Sequence, residues 1–414
     1  MHSYHERTID EDLQHQFIEE RFMSTSIIKK IRTEELAKCL SLIVLLTPTF
    51  IMHYNIKLLV YLYLPMEILS ILYLEKSDKW KISHWKYLLF IIVLEIVVIV
   101  STFMNQRISY SYICMVIAEI YLVIHIINNI KYGLSKLIID FSSAFRVIWI
   151  IDIISVVIKL LLNTYSNSEF GFVGHKNYHA FLFILVIGIE IMANIICGHK
   201  AIDGHVVIIS VINIIVEFIV SSFSGVVSIL VLILLCFFTK NRLKILNLSN
   251  IFIGLLILNY ILIFTISNSN LLRNLLEFMG RDIGMSGRRQ MWKLAISLIE
   301  TQPFRGYGFS APVTIWSVVA NEFVQNHCHN FFLNIALSGG IFYFFIICTY
   351  VFAVAHKINK GGNILILKVL TYTIGCYLLL GTSEIVVNVM PVFFPLMTLG
   401  YYSKNLENFR IVAQ

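Results

Sequence analysis

The sequence predicts an all-α polytopic membrane protein, with about twelve transmembrane helices and one large extracytoplasmic loop carrying short amphipathic helices. Three observations predict it. Of 414 residues, 58% are hydrophobic and 14% charged, against roughly 25% charged in soluble proteins, and mean hydropathy is +0.79. Apolar runs near the ~20 residues a bilayer-crossing helix needs recur along the whole length. None alternates apolar and polar positions as a barrel strand must. The formal charge of +7 sits in short loops between the runs, a distribution that topology explains without nucleic acid.

Residues 1–38 form a hydrophilic arm of mixed charge ending in Lys29, Lys30, Arg32 and Lys38, and no signal peptide is expected there. A single transmembrane domain is expected over 39–414. Its apolar runs are 39–54, 56–74, 86–104, 108–129, 144–163, 177–197, 205–220, 224–239, 250–267, 330–355, 363–383 and 386–402. Pro48, Pro65, Pro391 and Pro395 fall inside runs, where neighbouring helices can re-satisfy freed carbonyls. Seven scattered cysteines show no CxxC or zinc-like spacing and read as small hydrophobes.

Lysine and arginine set the orientation. With the N-terminus inside, the inward loops collect Lys76, Lys79, Lys81, Lys131, Lys136, Lys200, Lys240, Arg242, Lys357 and Lys404, while outward loops hold chiefly Lys57, Arg107 and Lys176. Both termini are then cytoplasmic. Leu162–Lys176, Ser221–Ser224 and the loop 267–329 share the outer face. No Walker-type lysine or glycine-rich phosphate loop indicates ATP use.

The chemistry that uses charge is concentrated in the loop 267–329. Leu271, Leu272, Leu275, Leu276 and Met279 share a helical face that Gly280 ends. A second amphipathic helix is expected over Arg288–Glu300, lying at the interface with Trp292 at headgroup depth. Arg288 and Arg289 in its first turn oppose the helix dipole, which a bound anion such as pyrophosphate would resolve. Snorkelling to lipid headgroups is the plainer alternative. Pro303-Phe-Arg305-Gly306-Tyr-Gly308 is a tight turn whose glycines permit positive φ and close backbone approach to a ligand. His327-Cys-His329-Asn330 suits a general base at a membrane mouth, or histidines at a helix end, with Asn330 a good N-cap in either case. Zinc is not expected, because no further ligands stand at suitable spacing.

As an ordered set, R-x-x-x-W (Arg288, Trp292), P-x-x-G-x-G, and H-x-H-N before the pair Gly339-Gly340 resemble the O-antigen polymerase and ligase family. Upstream, Gly171-Phe-Val-Gly174-His175-Lys176-Asn177 resembles the family's G-F-x-G-H-x-N opening of a central helix. Ser222-Phe-Ser-Gly225 is similar to its S-R-S/T-G segment, with Phe223 where arginine is common. The resemblance implies an inverting glycosyl transfer from undecaprenyl pyrophosphate to a sugar hydroxyl, independent of metal and without a cofactor. It favours a polymerase over a ligase acting on lipid A–core. By matching position, Arg288 would bind pyrophosphate, and a histidine of the H-x-H-N motif, His329 before His327, would be the base. Arg289, Arg305, Arg281 and Lys176 are supporting cations, and His175, Asn177, Trp292, Gly306, Gly308 and Asn330 would lie near substrate. The implied setting is a bacterial inner membrane, with the site on the periplasmic face. Partners would be the lipid-linked glycan, membrane lipids and, among proteins, a chain-length regulator and a flippase, with no nucleic acid. A rival class, a transporter or flippase with a proton relay, draws on Glu67, Glu95, Glu119, His125, Asp152, Glu190, Glu217 and Glu384 within apolar runs.

Overall fold

The computed structural model describes residues 33–47, 57–77, 84–105, 110–130, 133–163, 169–172, 174–175, 178–238, 246–265, 288–309, 313–317, 322–326, 328–361, 364–384 and 391–404. Most of the arm before residue 33 and the helix expected around Leu271–Met279 lie outside them. A helix overlaps each of the twelve apolar runs. They are α1 (33–46), α2 (Lys57–Ser77), α3 (Trp85–Met104), α4 (Tyr110–Asn129), α5 (Leu134–Leu161), α6 (Tyr178–Ile196), α7 (Gly204–Ile219), α8 (Phe223–Phe237) and α9 (Leu248–Tyr260), then α11 (Phe331–Lys360), α12 (Leu365–Gly381) and α13 (Phe393–Tyr401). The amphipathic helix α10 (Arg288–Thr301) lies between α9 and α11.

Among the described residues, four stretches are long and apolar enough to cross a membrane: Trp85–Met104, Tyr112–Asn129, Tyr178–Ile196 and Phe331–Lys360. Four further apolar helices are shorter, of 10–17 residues. The protein is membrane-embedded. Helices as short as α13, with 9 residues at about 1.5 Å each, reach only part of the way across.

Two antiparallel hairpins depart from the all-α expectation. β1 (Glu169–Phe170) pairs with β2 (Gly174–His175), and β3 (Val313–Ser317) with β4 (Glu322–Asn326) in the register Val313↔Asn326. The β-branched and aromatic residues of V-T-I-W-S suit a pleated pair.

α6 is apolar all round and is buried from His179 to Ala193, so it is the axis of the bundle. α5, α7, α8 and α12 pack on it. α11 packs against α3, α9, α10 and α13. Its helix is broken at Gly340, which has φ 82° and ψ 178°. The expected run 330–355 was continuous, and the break is what makes the candidate site possible.

Candidate active site

A broken helix frees backbone groups that need partners. The turn after α10 supplies them. Tyr307 N–H donates to Leu337 O at 2.6 Å, Gly308 N–H to Ser338 O at 2.9 Å, and Ile341 N–H to Pro303 O at 2.7 Å. Backbones can come this close only without side chains. A Cβ on Gly306 (φ +66°) would lie 2.6 Å from Ser338 O, and one on Gly340 2.4 Å from Phe304 O. Gly308 (φ +78°) meets α3 in the same way, 2.3 Å from Thr102 Cα. The backbone that Gly306 and Gly308 approach is therefore the protein's own. Tyr307 Oη, 2.6 Å from Thr301 Oγ1, ties the turn to α10. Arg305 is exposed and reaches the end of α3, with Nη2 3.4 Å from Met104 O and 3.5 Å from Asn105 Oδ1.

This latch fixes α10 on α11. Met291, Ala295, Tyr307, Cys328 and Leu337 form a small core with Leu294, Leu298, Ile299 and Leu333 packed around it. The apolar face of α10 thus covers protein, which corrects the expectation of a helix laid in the interface. Trp292 is likewise corrected: it is 2% exposed instead of sitting at headgroup depth, and its indole N–H finds no acceptor among the described residues. An aromatic at an amphipathic position reads the same in sequence whether lipid or a neighbouring helix receives it.

At the head of α11, Asn330 is the expected N-cap, its Oδ1 accepting Leu333 N–H at 3.0 Å. Its amide also donates to Asn259 Oδ1 at 2.5 Å and to Thr382 O at 2.9 Å. One buried side chain thereby joins the ends of α9, α11 and α12. His329 precedes it in the left-handed region (φ 47°), a conformation histidine tolerates better than most residues. Burial pushes the neighbouring Cys328 thiol up to about 12.

Since Asn330 holds Thr382, the residues after α12 come to His329. Glu384 accepts from both sides. One oxygen, Oε1, takes Arg288 Nη2, and Oε2 lies 2.9 Å from His329 Nδ1. The carboxylate is 1% exposed, while Arg288 and His329 are 20% and 18% exposed. Both thus remain open to a ligand while their shared partner is buried. Tyr178, at the head of α6, lies within electrostatic reach of Glu384. The structure thus unites Arg288 with His329 across 41 residues of chain (329 − 288). Glu384, which the sequence marked only as a costly acid in an apolar run, is what joins them.

The upstream motif lies at the same end of the bundle as that joint. His179 Nδ1 is 2.6 Å from Asp152 Oδ2, both fully buried, and Gly171 sits against the pair. Gly225 of the Ser222–Gly225 segment packs on Glu217 and Ala180. His175 has a described backbone in β2, whereas Lys176, Asn177, Arg281, His327 and the side chains of His175 and Arg289 lie outside the described residues.

Residues 206–348 match the family model described as O-antigen ligase. The matched segment, 143 of the 414 residues, is similar to that family. It spans α7 to the middle of α11 and includes Arg288, the latch and His329; Glu384 and the Gly171 motif lie outside the match. Members of the O-antigen ligase family transfer glycans. No curated protein and no solved structure matches the chain.

Proposed function

We propose that this protein polymerises lipid-linked oligosaccharide repeat units by inverting, metal-independent transfer of a glycan from undecaprenyl pyrophosphate to a sugar hydroxyl. The observation that carries this reading is the shared carboxylate. Glu384 bridges the residue assigned to the leaving group, Arg288, and the residue assigned to the acceptor, His329. In this reading Nδ1–H of His329 donates to Glu384, and Nε2 takes the proton of the attacking hydroxyl. The hydroxyl oxygen forms its bond to the anomeric carbon as the bond to pyrophosphate breaks, and the electron pair leaves on a phosphate oxygen. Arg288, part-exposed with donors beyond the one given to Glu384, stabilises that charge. Trp292 stands one turn further along α10 on the same side, a buried indole donor without an acceptor among the described residues. The imidazolium that forms faces the Glu384 carboxylate, so acceptor and donor sides are balanced through one group.

Three of the acids behind the transporter reading hold helices together, whereas the carboxylates of Glu67 and Glu217 find no hydrogen-bond partner among the described residues. Glu190 pairs with Arg146 at 2.7 Å and with Ser142 at 2.9 Å, Asp152 holds His179, and Glu119 accepts Phe394 N–H at 2.9 Å. The matching family's description favours a second reading, ligation of the glycan to lipid A–core.

One experiment separates the two. Purified protein is supplied with lipid-linked repeat units alone or together with lipid A–core. A ladder from repeat units alone is expected; product only in the presence of lipid A–core would replace polymerase by ligase. Arg288→Ala and His329→Ala should each abolish product at normal protein level, and near-normal product from either would remove its assigned role. Transfer should survive EDTA. Activity lost to EDTA and restored by zinc or magnesium would overturn the metal-free mechanism.

A further inference from the structure

A groove of about 580 Å³ lies far from Glu384, between α3, α11 and the end of α13. Its walls are Phe90, Phe342, Phe345, Ile346 and Ala353, backed by Tyr87 and Tyr350. The back wall offers carbon to an occupant, because its hydroxyls are engaged. Tyr87 Oη lies 2.5 Å from Tyr350 Oη and 3.0 Å from Thr398 Oγ1, and Thr349 Oγ1 donates to Phe345 O at 2.8 Å. At one end Phe342 carries Phe304 stacked on it, with ring centroids 5.2 Å apart, next to Gly340 of the latch. The other end is cationic. Exposed Lys86 lines it, and the Lys357 ammonium stands 5.1 Å from the ring centroid of Tyr401, another lining residue.

Length and charge together identify an occupant. From Phe342 to Ala353 α11 advances eleven residues, about 16 Å at 1.5 Å per residue, which is close to half of a ~30 Å hydrocarbon core. A slot one leaflet deep and cationic at its mouth fits one acyl chain beneath an anionic headgroup. We infer that this groove binds an anionic phospholipid of the leaflet at the Lys86 end, with an acyl chain along Phe90, Phe345 and Ile346 and its phosphate at Lys86 and Lys357. The inference is independent of the reaction proposed above. The slot's lining includes none of Arg288, His329 and Glu384.

The test is native mass spectrometry of the full-length protein released from detergent, with phosphatidylglycerol or phosphatidylcholine of identical acyl chains added. One phosphatidylglycerol should be retained about fivefold more strongly than phosphatidylcholine for each ammonium engaged. Lys86→Gln should lower the preference by that factor, and Ala353→Trp, which fills the slot from its exposed wall, should abolish retention of both lipids. Equal retention of the two lipids by the wild type, or retention indifferent to both substitutions, would overturn the inference. So would stoichiometric displacement of phosphatidylglycerol by undecaprenyl phosphate, which would make the slot a donor channel.

Discussion

Glu384 shows at residue scale what sequence reasoning reaches and where it stops. Arg288, His329 and Asn330 were legible because each sits in a short motif whose chemistry can be stated locally. Glu384 was visible as an acid in an apolar run, but its role depends on Asn330 reaching Thr382, a contact across 52 residues of chain. In the proposed reaction Glu384 is an orienting residue for the histidine, from which its Oε2 stands 2.9 Å. Glu384→Gln should therefore lower kcat by about 10²–10⁴-fold, the range for disabling an oriented base, while moving KM little. Glu384→Asp should recover part of it. Steady-state kinetics with lipid-linked repeat units read both, and an unchanged kcat in the glutamine variant would dissolve the bridge as a catalytic device. Cys328 provides a check that needs no substrate. Its buried thiol, with a pKa pushed up to about 12, should stay unlabelled by maleimide at neutral pH while the exposed Cys197 reacts. Mass mapping of the labelled protein decides.

Helices were the legible elements because twelve apolar runs give helical segments whatever their neighbours do. The interruption of α11 was not legible. A Gly-Gly pair in an apolar run is compatible with a continuous close-packed helix, and only the turn 303–308 lying against it explains the left-handed Gly340. The hairpins were missed for a related reason, since strands of two and five residues hold at most about two periods of the two-residue alternation. The latch makes a sharp prediction. Gly306→Ala places a methyl 2.6 Å from Ser338 O at φ +66°, combining backbone strain of about 1–3 kcal/mol with overlap of fixed backbone. Thermal unfolding in detergent should show a lower midpoint, and activity should fall with it because α10 carries Arg288. At the opposite end of the bundle from the Gly171 hairpin, Asp203 caps α7. Accepting Val206 N–H at 2.9 Å holds its carboxyl below the usual carboxylate range. A depressed folded value stabilises above the ordinary pKa near 3.9, and that contribution disappears as pH falls through the lower folded value. Asp203→Ala should cost about 1 kcal/mol at neutral pH, and Asp203→Asn much less, because asparagine caps equally well.

The whole molecule is organised so that three distant chain segments meet at one end of a bundle wound around α6. Residue 288 comes from the amphipathic helix, 329 from the approach to α11 and 384 from the exit of α12. A buried amide and a backbone latch bring them together. Which side of the membrane that end faces is a matter of the loop charges. Lysines and arginines crowd the loops at the far end, so the expectation from the positive-inside rule is an Arg288–Glu384–His329 cluster on the outside. An enzyme that draws on a lipid pyrophosphate instead of ATP needs its site on the face where the activated donor is displayed. Orientation and energy source therefore stand or fall together. With Cys197→Ser as background, Arg305→Cys places a thiol at an exposed position on the latch, and Lys360→Cys places one at the exposed end of α11. A membrane-impermeant maleimide applied to intact spheroplasts should modify the first and spare the second until the membrane is opened. The reverse pattern would set the cluster on the cytoplasmic side and leave the pyrophosphate donor on the wrong face.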